Sequence, residues 1–464
     1  MTRLACLAVI TTHALMMPAH AREPRPPGVG VVWHVQPGGT GEGDRSRPFG
    51  RLADAMLVAA PGDTLVLAPG TYHDRLATVR GGRPDAPITI RAADPRRRPV
   101  VTAAGRVATF AHPWIVVEHV EFDGEFGADD TVRVTSGASH LTLRHVEVRR
   151  SGRDCVDMGG PADVTIEHAR IHHCLNPTRG RADAHGIVAG SARNLTIRDT
   201  EIHTFSGDAI QLDPGRIAPG WTNLRVERCR LWLGPLPEAV NGFAAGVVPG
   251  ENAIDTKTTA SGPRARLTVV DTEAWGFADG LINNMAAFNI KERVDATFDR
   301  VTAHHSTIAF RLRGGGDAGA RVTMANVVVH SVTTAVRVED DIDTVRLHHA
   351  TFGRDIARPF QHASSPRTTA DIENLLLLGP TLPDAASGRG LAVGPSAFVD
   401  ASRHDYRLAP GSPAIDRATT VPGVVHDRLG VTRPQGAAPD VGAFEYCEAD
   451  VRRRCPGGLK MVSF

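Results

Sequence analysis

The sequence predicts an all-β fold, a single-stranded right-handed parallel β-helix with an N-terminal capping helix. Three observations carry that expectation: a recurring strand-like segment, a shorter strand that follows it each time, and a scarcity of tight hairpin turns. The first segment reads Leu141–Val148 (LTLRHVEV), Val164–Ile171 (VTIEHARI), Leu195–Ile202 (LTIRDTEI) and Leu224–Leu231 (LRVERCRL). It continues as Leu267–Ala274 (LTVVDTEA), Ala296–Ala303 (ATFDRVTA), Val322–Val329 (VTMANVVV) and Val345–Phe352 (VRLHHATF). Its start recurs every 23 to 43 residues, the spacing of solenoid coils with occasional insertions. A meander would need Asn-Gly or Asp-Gly turns between antiparallel strands, and these are few.

Taken in order, residues 1–21 read as a signal peptide, with Arg3 as its charge, Leu4 to Met17 as its apolar stretch and Ala19-His20-Ala21 as its cleavage site. Export to the periplasm or the medium follows. Residues 22–75 form the N-terminal cap and first coil, with an amphipathic helix over Pro48–Ala60 that covers the exposed coil edge. Residues 76–360 form the parallel β-helix, and 361–464 the C-terminal coils and closing segment. Two insertions, Leu175–Ala184 and Leu233–Gly250, are expected to wall a groove near Lys257.

Composition narrows the partners. The hydrophobic and charged fractions, 42% and 22%, are ordinary for a globular protein. A net charge of +1 offers no long-range field for nucleic acid or an anionic membrane, so affinity for an acidic partner must come from a local cluster. Beyond the leader no segment is long and apolar enough to span a bilayer, and a monomer is expected. Cys447 and Cys455 bracket a short tail and suit a closing disulfide, whereas Cys155, Cys174 and Cys229 read as buried small hydrophobes. His172, His173, His304 and His305 occur in pairs with no third ligand at metal spacing, so no metal site is expected from them.

The shorter strand carries the chemistry. Successive coils read Asp154–Met158, His185–Ala189, Asp208–Asp213, Asn252–Lys257, Ala286–Lys291, Ile308–Arg313 and Thr334–Glu339. Their apolar positions alternate inward, which leaves two outward columns. One holds Asp157, Val188, Gln211, Asp255, Asn289, Arg311 and Arg337; the other holds Asp213, Lys257, Lys291, Arg313 and Glu339. The chain has only three lysines, Lys257, Lys291 and Lys460, and two of them share one column position on consecutive coils. Arginine serves a solvated surface equally well, but only lysine readily gives up its proton. Neighbouring cations are expected to depress a lysine pKa toward the range of a base, and the same cluster suits a sugar carboxylate. Asn252, Asp255, Asn289, Arg311, Gln211 and Asp213 are the candidate substrate-binding groups around the catalytic candidates Lys291, Arg313 and Lys257.

Phe288-Asn-Ile-Lys291 and, one coil on, Phe310-Arg-Leu-Arg313-Gly314 resemble the lysine and arginine strands of the chondroitinase B and β-helical alginate lyase family. The resemblance implies Lys291 as the proton-abstracting base and Arg313 as its partner, acting by β-elimination on an acidic, uronate-containing polysaccharide. The chain departs from that family at Gly314, where the family has histidine. It departs again at Asn284 and Ala286, which stand near the places of the family's calcium-holding acids. Calcium therefore stays an open cofactor without identifiable ligands, and Lys257 can stand in for its charge. Trp33 to Tyr72 likewise resembles the opening of β-helical polysaccharide lyases, and Ser412–Tyr446 the closing segment of secreted bacterial β-helix proteins. The β-helical pectate lyases are a poorer match, because Val188 falls where their lysine would. Three other readings stay open: a hydrolase using Asp208 and Asp213, a C5-epimerase sharing the proton-abstraction step, and a non-catalytic glycan-binding adhesin. Aromatics at 5% speak against the last.

Overall fold

The computed structural model describes residues 30–103, 105–178, 183–215, 219–259, 263–280, 282–314, 319–339, 342–363 and 370–447. The predicted leader and Cys455 lie outside them. Strands stack in parallel, coil upon coil, in one sheet of 13 strands and one of 22. The second sheet has two faces, because the long strands Thr302–Arg313 and Val328–Glu339 bend through both. Each coil thus contributes to three ladders and forms a right-handed parallel β-helix, as expected. The ladders begin at Val32–Val35 and run to Gly390–Val393.

The recurring eight-residue segments are not single strands. Leu141–Val148, for example, holds the first-ladder strand Thr142–Arg144 and the start of the second-ladder strand Glu147–Ser151. Between them His145 has φ +53°, and His168, Asp199, Asp271, Asn326 and Asn374 take the same left-handed corner in other coils. Asp, Asn and His tolerate that conformation better than other residues with a Cβ, so these corners need no glycine.

The interior is a set of apolar columns. Under the third ladder run Val156, Ile187, Ile210, Ile254, Phe288, Phe310 and Val336, all buried and in register. Phe288 and Phe310 meet Phe298 of the first ladder, with ring centroids 4.9 to 5.2 Å apart. Cys155 and Cys174, expected to be unpaired, form a disulfide across the interior, 19 residues apart in sequence. The coil path brings their Cα atoms within 5.5 Å, a proximity that sequence spacing does not reveal. Cys229 is free and buried as expected, and Cys447 is disulfide-bonded.

The ends are closed differently. The helix spans Leu52–Val58, shorter than predicted, and buries Leu52, Ala55 and Met56. Asp74, from the adjoining turn, accepts from Leu52 N at 2.7 Å and so caps the helix in place of a local residue. Buried Asp63 ties the first strand down through Val31 N and Trp33 Nε1, both at 2.8 Å. At the far end a second apolar cluster, including Val328, Leu376, Phe398, Tyr406 and Val441, seats the closing segment on the second ladder.

Phe288→Ala removes the ring that joins two ladders beneath the groove. It should lower unfolding stability by about 3–5 kcal/mol, read from urea titration, whereas Val399→Ala at an exposed position should change it by no more than about 0.5 kcal/mol.

Candidate functional site

The two outward columns read from the sequence are in register in the structure. Asp157, Val188, Gln211, Asp255, Asn289, Arg311 and Arg337 pair in successive coils. Lys291, Arg313 and Glu339 do the same, and Asp213 and Lys257 directly follow the paired Leu212 and Thr256.

What each column residue touches was not legible. Lys257 Nζ binds Asp213 at 2.7 Å. Burial works to lower its pKa, but the Asp213 hydrogen bond and charge outweigh burial and hold the ammonium above the ordinary lysine range. The expected depression by neighbouring cations therefore does not occur at Lys257, because an acid lies nearer than the next cation. Lys291 Nζ binds Asp255 at 2.8 Å, and Asn289 Nδ2 donates to the same carboxylate at 2.8 Å. Asp255 and Asn289 are each only 4% exposed. Burial first, and then the Asp208 carboxylate, raise the pKa of Asp255 above the usual range, against the pull of Lys291. Asn289 Oδ1 is buried without a hydrogen-bond partner.

Over the next two coils the balance turns positive. Arg311 forks onto Glu339 with two 3.0 Å hydrogen bonds, Arg337 reaches the same carboxylate at 2.6 Å, and Arg313 reaches it at 3.2 Å. Three guanidinium groups thus share one acid. The first ladder behaves otherwise: Glu118, Arg144, Glu167, Arg198 and Glu227 alternate in sign down one column. The groove departs from that alternation.

Several expected groups do other work. Asn252 lies in a buried file with Asp154, His185 and Asp208 at the entry corner of the third ladder, not on the groove face. Asp208 Oδ1 accepts from Asn252 N and Nδ2 at 3.1 and 2.8 Å, Asn252 Oδ1 accepts from Ala286 N at 2.9 Å, and Asp154 Oδ1 accepts from His185 N at 2.8 Å. This file satisfies corner backbone groups that would otherwise be buried without partners. Asp208 Oδ2 also accepts from Gln211 Nε2 at 2.9 Å. Asp213, held by Lys257, has a lowered pKa although burial opposes it. The two insertions touch each other, Asn241 Nδ2 donating to Leu175 O at 2.6 Å. They enter ahead of the third-ladder strands, on the side of Asp208 and Glu251, while Lys257 lies at the strands' other end.

Glu251 was not among the candidate residues read from the sequence. It precedes the strand Ile254–Thr256, within electrostatic reach of Asp208, Asp183, Asp255 and Lys291. Burial, then the surrounding carboxylates, push its pKa up to about 8, so it carries a proton at neutral pH. No strand periodicity marks it, and only the fold gathers the acids around it.

The positions that the lyase resemblance would assign to calcium do not suit a cation. Asn284 Oδ1 accepts from Arg337 Nη1 at 3.2 Å, and Ala286 offers no side-chain oxygen. The oxygens of Asp208 and Asp255 already accept from Asn252, Gln211, Asn289 and Lys291.

No family description matches the chain. The uncharacterized protein YwoF of Bacillus subtilis (strain 168) is 39% identical over 66 residues, a match spanning 14% of either protein. Among solved structures, pectate lyase Pel9A superposes with a TM-score of 0.54 at 16% identity, covering 90% of this chain and 98% of its own. A rhamnogalacturonan lyase superposes with a TM-score of 0.55 at 13% identity, covering 92% and 99%. At such identities the likeness speaks for architecture. The chain is a right-handed parallel β-helix and shares that fold with these two lyases.

Proposed function

We propose that this chain is a polysaccharide lyase that cleaves an acidic, uronate-containing glycan by β-elimination. The observation that carries the reading is the placement of Lys291 on the groove column, hydrogen-bonded to buried Asp255 and within two coils of three arginines that share a single acid. Arg311, Arg313 and Arg337 neutralise the uronate carboxylate and so acidify the adjacent C5–H. Lys291, hydrogen-bonded to Asp255, acts in its amine form as the base that removes the C5 proton. The electron pair forms the C4–C5 double bond as the C4–O bond breaks, and protonated Glu251 supplies the proton to the leaving oxygen. Asn289 Oδ1 accepts from a sugar hydroxyl, and Lys257, fixed by Asp213, contributes positive charge to the groove. The likeness in fold to two proteins titled pectate lyase and rhamnogalacturonan lyase agrees with a polysaccharide substrate. Export fits the Cys155–Cys174 disulfide, a bond at home in oxidising compartments. The protein works as a monomer, without nucleic-acid or membrane partners.

A second reading, glycoside hydrolysis, is favoured by one observation: Glu251 and Asp255 are neighbouring carboxyl groups whose pKa values are both raised. It replaces the Asp208 and Asp213 pair with Glu251 and Asp255.

A panel of alginate, pectate, glycosaminoglycans and bacterial exopolysaccharides, followed by the ultraviolet absorbance of unsaturated uronate ends, separates the two. Lys291→Ala should abolish the unsaturated product, whereas reducing ends that appear without unsaturation assign the hydrolase. Glu251→Gln should slow turnover about 10²–10⁴-fold, and wild-type activity should fall as pH rises through about 8, where Glu251 loses its proton.

Glu251 also makes a prediction about stability. Its folded pKa of about 8 exceeds its ordinary 4.5, so between those values the folded chain holds a proton that the unfolded chain releases. Its contribution to stability is therefore lost as pH rises through that window. Glu251→Gln should gain stability relative to wild type between pH 5 and pH 9, measured as the urea midpoint of each protein at both values.

A further inference from the structure

A second constellation lies on another face. Down the outer side of the second ladder, His172, His203, Trp232, Trp275, His304 and His330 occupy one column and stack ring on ring. Centroids are 4.4 to 5.8 Å apart, with planes within 11° of parallel. His404, from the closing segment, stacks on the end of the file at 4.1 Å from His330.

Within this file His304 is unusually placed. Its Nε2 meets Glu273 Oε1 at 3.0 Å, and its Nδ1 meets His305 Nδ1 at 2.7 Å. A carboxylate only accepts, so Nε2 carries the hydrogen and the lone pair of the neutral ring points from Nδ1 toward His305. That is the arrangement by which an outer carboxylate orients a metal-binding histidine. The next coil adds His330, and the ligand atoms of all three histidines lie within 4.8 Å of one another. Among the described residues no other group of three or more His, Cys, Asp or Glu comes as close. The sequence pairs His304 with His305, but the third nitrogen arrives only because one coil returns over the last.

We propose that His304, His305 and His330 bind a divalent transition-metal ion that favours imidazole, Zn²⁺ foremost and Cu²⁺ or Ni²⁺ as competitors. Zinc–nitrogen bonds of about 2.0–2.1 Å require the three nitrogens to close in. The His330 ring turns out of its stack and gives up its 3.2 Å contact with Ser331 Oγ. A fourth position is left for water or for His404. The ion would sit where the closing segment meets the coils, on a different ladder from the groove, and would pin the two together.

The chain contains its own control. Glu147, His172 and His173 repeat the same contacts at 3.0 and 2.6 Å, with His203 in the place of His330. There Trp232 stacks on His203 at 4.4 Å, where His404 stacks on His330, and no three ligand atoms group.

The test uses the full chain, stripped with chelator and titrated with Zn²⁺ alone in equilibrium dialysis, with Co²⁺ absorption spectra as a second readout. One equivalent should bind, and the thermal midpoint should rise with Zn²⁺ concentration. His305 is exposed, so His305→Ala leaves the fold intact and should weaken binding at least tenfold, as should His330→Ala, while His173→Ala should bind as wild type does. Failure of the wild type to bind stoichiometrically, retention of full affinity by His305→Ala, or loss of binding in His173→Ala would each overturn the assignment.

Discussion

Coil-on-coil register is the constraint on which the rest of this molecule depends. In parallel ladders every residue lies about 4.8 Å from its equivalents in the coils above and below. An inward column must therefore be apolar throughout, and an outward column must resolve its charges vertically. The first-ladder column Glu118, Arg144, Glu167, Arg198 and Glu227 does this by alternation, and the corner pairs Asp199–Arg228 and Asp271–Arg300 repeat the solution. Against that background the adjacency of Arg311 and Arg337, and of Lys291 and Arg313, is costly to the fold alone. Such a local breach of an otherwise consistent pattern is characteristic of a functional site.

The same vertical logic governs buried polar groups. Asp154, His185, Asp208 and Asn252 lie where the chain turns into the third ladder, and each satisfies the backbone or side chain of an adjacent coil. These residues support the site without facing the groove. They hold Asp208 close to Asp255 and Glu251, where its charge adds to the rise in proton affinity that burial gives both.

How much of this was legible follows from what period-two alternation can encode. Alternation places Ile254 and Phe288 inside and Asp255 and Asn289 outside, and the rarity of lysine singles out Lys257 and Lys291; fold, columns and register follow. Alternation is silent about corners, so His145 was read as part of a strand. It is silent about interior proximity, so the Cys155–Cys174 bond was missed. It also does not say toward which neighbour a long side chain leans. Lys257 turns to Asp213, one coil back, and this reverses the expected direction of its pKa. Glu251 stands outside any strand, and His330 is separated from His304 by a whole coil, so neither belongs to a local pattern.

The closing segment bears on how the solenoid comes apart. A stack whose coils touch only their neighbours can fray one coil at a time from a free end. Here Arg428 reaches back 126 residues to donate to Thr302 Oγ1, and the buried Arg433 donates to Asn326 Oδ1. These clasps fasten the terminal segment to coils well inside the stack. The coils between cannot open singly, because each opening must first release the clasp. The C-terminal third is therefore expected to open as one unit, its slowest-exchanging amides sharing one opening free energy instead of grading toward the end.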